Sequence, residues 1–237
     1  MEIINLNSYF SVDSYGDDKD KLFKINLITK TRDDPKKKYI TEHYGIEQSF
    51  LIYSLAKKYK CTNFVEIGTG RGTASYAVSL LNSVKRVDTF DIIPFDKKNN
   101  TAVEFRPFYG SNKDLYNLIP CKEKEKINFF HIDHLNNDYK ERNKSKFDIA
   151  FIDGNHSNYN IIMNDFLNCL HLTKEDGIIV FDDYGNFPVV TRVVNDIIKK
   201  HTKYKYLLVQ FRGHYFMKEK MEKGSGEMIL FKNPTLI

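Results

Sequence analysis

The chain has 237 residues, of which 41% are hydrophobic and 28% charged, a balance typical of one globular domain with a full core. No apolar run approaches the roughly 18 residues of a membrane span, and the three scattered cysteines match neither a zinc site nor a disulfide framework, so we expect a cytoplasmic protein. The net charge is +5, but only 7 of the 36 basic residues are arginine and the lysines are dispersed, which argues against a nucleic-acid partner.

The first 40 residues differ in pattern from the rest of the chain. They alternate charge clusters with one short apolar stretch at residues 22–27, and they lack the basic and apolar segments of a secretory signal. We therefore predict an N-terminal arm or lid over residues 1–40 and a separate domain over residues 41–237. The arm would cover the substrate or contribute to a homodimer.

From residue 46 onward, short apolar runs alternate with runs of helical periodicity. The predicted strands are 63–67, 86–91, 127–132, 147–152, 178–181, 206–211, 214–218 and 228–232. The predicted helices are 46–59, 73–81, 113–118, 159–172 and 189–200, and Ser111 with Asp114 resembles a capping box before the third of them. This alternation predicts an α/β fold in which helices cover both faces of a parallel sheet and ligands bind beyond the carboxyl ends of the strands.

A glycine-rich turn, VEIGTGRGTAS, follows the first of these strands. Its glycines allow a sharp turn and the close approach of a ligand to the backbone. The dinucleotide fingerprint requires a third glycine at position 73, which is Thr73 here, and the turn lacks the Lys-Ser/Thr ending of a phosphate-binding loop. Both of these nucleotide-binding interpretations are therefore weakened.

The turn resembles motif I of the class I methyltransferases, which bind S-adenosylmethionine. Glu66 stands two residues before the first glycine, Asp91 ends the second predicted strand, and Asp133 follows the third. A strand-end carboxylate such as Asp91 can accept hydrogen bonds from both ribose hydroxyls. The resemblance implies a Rossmann-like, seven-stranded, mostly parallel sheet with an antiparallel last strand. The cofactor-binding residues that it implies are Glu66, Gly68, Thr69, Gly70, Gly72, Asp91 and Asp133.

Three carboxylates follow the fourth and fifth strands of this sheet. Asp153 ends the run FDIAFID, and Asp182 and Asp183 end the run GIIVFDD. Neighbouring strands lie roughly 5 Å apart, so these side chains converge in one small volume. Such an arrangement is costly without a cation, whereas oxygen ligands suit a divalent ion such as Mg²⁺. We predict that Asp153, Asp182 and Asp183 bind a metal ion.

The same stretches, DGNHSNY and DDY, resemble the metal-dependent O-methyltransferases, most closely the macrolide-sugar O-methyltransferase and cephalosporin-hydroxylase group and more distantly catechol O-methyltransferase. Residues 46–200 carry the resemblance. It implies catalytic roles for Asp153 and for His156, which stands where the catechol enzyme has its proton-accepting lysine. A histidine can accept a proton near neutral pH, but a histidine that only hydrogen-bonds the loop fits the sequence equally well.

The predicted function is therefore metal-dependent transfer of a methyl group from S-adenosylmethionine to a small-molecule hydroxyl, on a sugar or another natural product. A nucleic-acid methyltransferase is one alternative, although the loop DGNH lacks the prolines of the amino-methylating enzymes. A non-catalytic S-adenosylmethionine-binding protein is another. The hydroxylation chemistry of the cephalosporin relatives is a third.

Overall fold

The computed structural model describes residues 2–5, 15–30, 46–98, 110–210 and 226–236. Its strands are β1 (Glu2–Asn5), β2 (Asn63–Ile67), β3 (Arg86–Asp91), β4 (Ile127–His131), β5 (Phe147–Ile152), β6 (Thr173–Tyr184), β7 (Lys205–Gln210) and β8 (Gly226–Phe231). Its helices are α1 (Asp18–Lys30), α2 (Ile46–Lys58), α3 (Thr73–Ser79), α4 (Asn112–Leu118), α5 (Asn137–Arg142), α6 (Tyr159–Leu172) and α7 (Pro188–Lys200).

The strands form one sheet in the order β1-β7-β8-β6-β5-β2-β3-β4. Strand β8 runs antiparallel to β6 and β7, and the other neighbours are parallel. The predicted α/β fold with an antiparallel last strand is confirmed. The sheet has eight strands instead of seven because residues 2–5 pair with β7 at one edge. The strand predicted at residues 214–218 lies outside the described residues.

Two apolar layers cover the faces of the sheet, as expected for parallel strands packed between helices. Alternate residues of β6 enter different layers, with Val180 in the layer under α2 and α3 and Phe181 in the layer under α6 and α7. Within the described ranges, no helix combines the length and the hydrophobicity that crossing a membrane requires.

Helix α1 lies within the segment predicted as an arm or lid, and it packs against α2 and α3 of the predicted domain. Its buried residues recur at helical spacing, Leu22, Ile25, Asn26 and Thr29, so one face of the helix is turned inward. The carbonyl of Thr29 accepts a hydrogen bond from Arg71 in the glycine turn at 2.7 Å. The arm therefore contacts the predicted cofactor turn, while the domain boundary near residue 40 stays a prediction.

Gly68 joins the two halves of the sheet at its carboxyl edge. The residue follows β2, has φ of 99° and lies against the backbone of Asp153, so that a Cβ atom would come within 2.0 Å of the Asp153 carbonyl oxygen. The Asp153 amide also donates to the Ile67 carbonyl at 2.8 Å. Only glycine fits this position, and this contact places the glycine turn beside the residue that follows β5.

Candidate functional site

The glycine turn connects β2 to α3 and is fixed by Asp91 at the end of β3. Gly68, Gly70 and Gly72 have φ values of 99°, 53° and 74°, in the region that favours glycine. Asp91 accepts hydrogen bonds from the amides of Gly70 and Ile93, each at 2.9 Å. These bonds hold the turn against the strand end and leave its backbone shaped to receive a ligand.

Glu66 and Thr69 support the turn from below. Glu66 is 2% exposed, and its carboxylate accepts hydrogen bonds from the hydroxyls of Ser75, at 2.6 Å, and Thr89, at 2.5 Å. The Thr69 and Thr89 hydroxyls are 2.7 Å apart. Glu66 therefore connects α3 to β3. Its role in cofactor binding stays a prediction, and it would act by holding the glycine turn in shape.

Asp133 lies after β4, in a short 3₁₀ turn at the same sheet edge. Its side chain is 85% exposed, and its carboxylate lies 3.1 Å from the Nδ1 atom of His131. The carboxylate is free of the dense hydrogen bonding that surrounds Glu66, so it is accessible to a ligand. The predicted adenine contact stays a prediction.

A second cluster occupies the ends of β5 and β6. Asp153, His156, Asp182 and Asp183 each offer one ligand atom, and these atoms all lie within 4.8 Å of one another. The His156 Nε2 atom lies 3.4 Å from an Asp153 oxygen and 3.2 Å from an Asp183 oxygen. The structure thus brings together the three predicted metal ligands and the predicted base.

The turn after Asp182 directs Asp183 into this cluster. Asp183 has φ of 60°, a left-handed conformation that aspartate tolerates better than most residues. Its amide donates to the Asp182 carboxylate at 2.8 Å, and its carbonyl accepts from the Asn186 amide at 3.1 Å. This sharp turn points two consecutive aspartates toward His156 and Asp153, which an extended strand would place on opposite faces.

Gln48 on α2 is a site residue that sequence reasoning missed. Its side-chain amide donates to Asp182 at 2.6 Å and to Asp153 at 3.3 Å, so it bridges the carboxylates of two neighbouring strands. The residue lies in the first turn of a helix, where polar side chains are common, so no sequence signal marks it.

Glu227 on β8 is a second missed residue. It is fully buried, and among the described residues no amide, hydroxyl or cationic group donates to its carboxylate oxygens, whose polar neighbour is the Asp182 carboxyl. Burial and then the neighbouring Asp182 raise the pKa of Glu227 well above its ordinary value. Burial and then the charge of Asp153 raise the pKa of Asp182. Carboxyl groups, which repel one another when ionised, are thus concentrated at this edge of the sheet.

Aromatic side chains close one side of the cluster. The His156 ring stacks on Phe187, with ring centroids 4.8 Å apart and planes inclined by 28°. Phe187 is 41% exposed and can contact a ligand, whereas Tyr184 is buried and donates its hydroxyl to Asn195 at 3.0 Å. Tyr184 therefore packs against α7.

The donor set fits a hard divalent cation. Three carboxylates and one imidazole converge, and the His156 Nε2 atom is buried without a hydrogen bond among the described residues. Carboxylate oxygens are the ligands that Mg²⁺ prefers, and a site of this size leaves coordination positions for water or substrate.

Comparison with known proteins agrees with this geometry. Residues 65–184, from β2 through the aspartate pair at the end of β6, match a family model described as a methyltransferase domain. The chain belongs to this methyltransferase family. The class I methyltransferase resemblance predicted from the glycine turn is thereby confirmed. A search of the curated proteins finds no match.

Solved structures, two of them described as O-methyltransferases, share the fold over nearly the whole chain. The O-methyltransferase TomG from Streptomyces achromogenes, involved in tomaymycin synthesis and solved with SAM, is 17% identical, with 96% of this chain and 97% of TomG covered at a TM-score of 0.57. The Bacillus cereus O-methyltransferase with SAH is 18% identical, with coverage of 95% and 98% and a TM-score of 0.54. Cofactor-bound Rv0187 from MTB is 14% identical, with 94% of both chains covered and a TM-score of 0.58.

Proposed function

We propose that this methyltransferase transfers a methyl group from S-adenosylmethionine to a hydroxyl of a small molecule, a sugar or another natural product, with the help of a divalent cation. The observation that carries the proposal is the convergence of Asp153, His156, Asp182 and Asp183 beside the glycine turn. TomG and the Bacillus cereus enzyme, both O-methyltransferases with SAM or SAH bound, support the reaction class.

The glycine turn and Asp91 would hold S-adenosylmethionine. Backbone amides at the turn and the Asp91 carboxylate, each of whose oxygens can accept a further hydrogen bond, suit a nucleoside with two vicinal hydroxyls. The contact between Gly68 and Asp153 then fixes the distance from the methyl donor to the acidic cluster. Holding two reactants at near-attack distance supplies about 7–11 kcal/mol in favourable cases, so this rigid contact contributes to catalysis through orientation.

Asp153, Asp182 and Asp183 would hold the cation. A divalent ion in this place would supply positive charge and would lower the pKa of an acceptor hydroxyl. His156, stacked on Phe187, would take the hydroxyl proton as the oxygen forms its bond to the methyl carbon. The carbon–sulfur bond breaks in the same step, and S-adenosylhomocysteine leaves with the sulfur electron pair.

Removal of the cation tests the proposal. Protein treated with EDTA should still bind S-adenosylmethionine by calorimetry, because the glycine turn lies outside the carboxylate cluster. The same protein should release S-adenosylhomocysteine at no more than about 1% of the Mg²⁺-loaded rate with a panel of acceptors that contains a catechol, a hexose and a nucleotide sugar. Full turnover in EDTA would exclude the metal role, and failure to bind S-adenosylmethionine would exclude the reaction.

A His156→Gln variant separates a base from a metal ligand. If His156 takes the proton, Mn²⁺ affinity is retained, while turnover falls about 100-fold and loses its dependence on pH between 6 and 8. An equal loss of Mn²⁺ affinity would make His156 a ligand instead. An unchanged rate and pH profile would leave it with a loop-bonding role.

A further inference from the structure

Strands β6 and β8 pair with an irregular register beside the acidic cluster. Phe181 is opposite Met228, and Tyr184 is opposite Gly226, so the two aspartates of β6 face a single residue of β8. That residue is Glu227. Two residues against one is the pattern of a β-bulge, which re-aims side chains and is common next to active sites.

The alternation of side chains places Glu227 on the same face as Asp182. Val180 and Ile229 belong to the apolar layer under α2, whereas Phe181 and Met228 belong to the opposite layer. Continuing each strand by two residues from the first pair directs both carboxyls toward α2, from which Gln48 reaches Asp182. Glu227 and Asp182 are therefore neighbours on the same face of the sheet.

The fold does not account for an acid at this position. A buried carboxyl whose polar neighbour is another carboxyl costs several kcal/mol when it is ionised, so a neutral side chain would stabilise the sheet better. Asp88, which is equally buried, accepts hydrogen bonds from Arg86, Asn128 and Tyr139. Among the described residues Glu227 has no such donor, and its strongest charged neighbour is Asp182.

We propose that Glu227 is a fourth carboxyl of the cation site, a positioning residue whose negative charge strengthens cation binding through Asp182. The inference rests on the proposed metal dependence and adds a residue that the strand-end aspartates do not include. It explains why a buried acid stands opposite the bulge. Affinity for cations rises with the number of negative charges around them.

Calorimetric titration with Mn²⁺ and Mg²⁺ tests this role without an activity assay. Glu227→Gln keeps the size of the side chain and removes its charge, and we expect the dissociation constant to rise about tenfold or more. Glu227→Asp keeps the charge and should stay within about threefold of wild type. Glu175→Gln is the matched control, because Glu175 lies on β6 with a side chain that is 91% exposed, far along the strand from the bulge.

A thermal melt in EDTA gives a second readout. Glu227→Gln should melt at or above the wild-type temperature, because the variant no longer buries a carboxyl among carboxyls. If Glu227 merely supports the fold, the variant melts lower and binds Mn²⁺ as wild type does, which would overturn the inference. Wild-type protein that binds neither ion would overturn the proposed metal dependence as well. Binding by wild type and by Glu227→Gln with equal affinity would overturn the role of Glu227 alone.

Discussion

The two ends of strand β5 each have an aspartate, and the surroundings of the two differ. Asp148, near the amino end, accepts hydrogen bonds from the amides of Thr62 and Asn63, each at 2.8 Å, and pairs with Lys174. Asp153, after the carboxyl end, faces Asp182 at the end of the neighbouring strand β6. The protein itself neutralises the first carboxylate, whereas it gathers further carboxylates around the second.

The pKa values express the same difference. Burial alone would raise the pKa of Asp148, but hydrogen bonds from Lys174, Asn63 and Thr62 outweigh it and lower that pKa below its ordinary value. At the other end, burial and the charge of Asp153 raise the pKa of Asp182. Carboxylates that the protein neutralises and carboxylates that it gathers together can therefore be told apart by their partners, even on adjacent strands.

The largest expected effect comes from removing the charge at the carboxyl end. Asp153→Asn should weaken Mn²⁺ binding at least about 100-fold, or about 2.7 kcal/mol, because it replaces one of the three proposed carboxylate ligands. Calorimetric titration measures this loss. Asp148→Asn, the same exchange at the other end of β5, should leave the affinity unchanged. Equal losses in both variants would show that general damage to the strand is the cause, and unchanged binding by Asp153→Asn would remove the residue from the site.

The Asp148→Asn exchange, which should not affect Mn²⁺ binding, should instead reduce the stability of the fold. Asp148→Asn should lower the free energy of unfolding by about 2 kcal/mol, because Lys174 loses its counter-ion in a partly buried place. Since the folded pKa of Asp148 is lowered, its contribution is complete above the unfolded value of about 3.9 and is lost as pH falls through the folded pKa. Urea unfolding at pH 7 and pH 3.5 should show a difference in unfolding free energy between wild type and variant that is smaller at pH 3.5. A gap that widens in acid would contradict the assignment.

Features that depend on local pattern could be predicted from the sequence. The bounds of β2, β3 and β5 and of α6 follow from buried runs and helical periodicity, and the capping box at Ser111 and Asp114 is present as predicted. The convergence of Asp153 with Asp182 and Asp183 follows from one topological rule, that parallel strands end at one edge of a sheet.

Features that depend on distant pairing could not be predicted. Strand β1 has only four residues and pairs with β7 some two hundred residues later, so its own sequence contains too little signal. Glu227 is opposite the aspartate pair because a β-bulge shifts the pairing of the antiparallel strands β6 and β8. Tertiary packing decides the position of such a bulge, so the sequence alone does not reveal it. Gln48 resembles an ordinary polar residue in the first turn of a helix. These two side chains complete the acidic cluster, and both come from outside the motifs.

The smallest expected effect concerns Gln48, whose amide bridges Asp153 and Asp182. Gln48→Leu keeps a similar volume but removes the donor, so the two carboxylates lose the partial positive charge between them. In EDTA the variant should be about 1 kcal/mol less stable than wild type by urea unfolding. At saturating Mg²⁺ the gap should close, because a cation between the carboxylates takes over the compensation.

Asn128→Leu is the matched control for this experiment, because Asn128 donates to the buried Asp88 at 2.9 Å, away from the cluster. Its loss of stability should be the same in EDTA and in Mg²⁺, since Asp88 already has Arg86 as a counter-ion. If the Gln48→Leu variant also loses the same stability in EDTA and in Mg²⁺, the wild-type Gln48 amide only packs against the strand ends. The contrasting result is a stability loss that disappears in Mg²⁺ for Gln48→Leu and persists for Asn128→Leu. It would show that a cation neutralises the carboxylates near Gln48, whereas the protein itself neutralises Asp88.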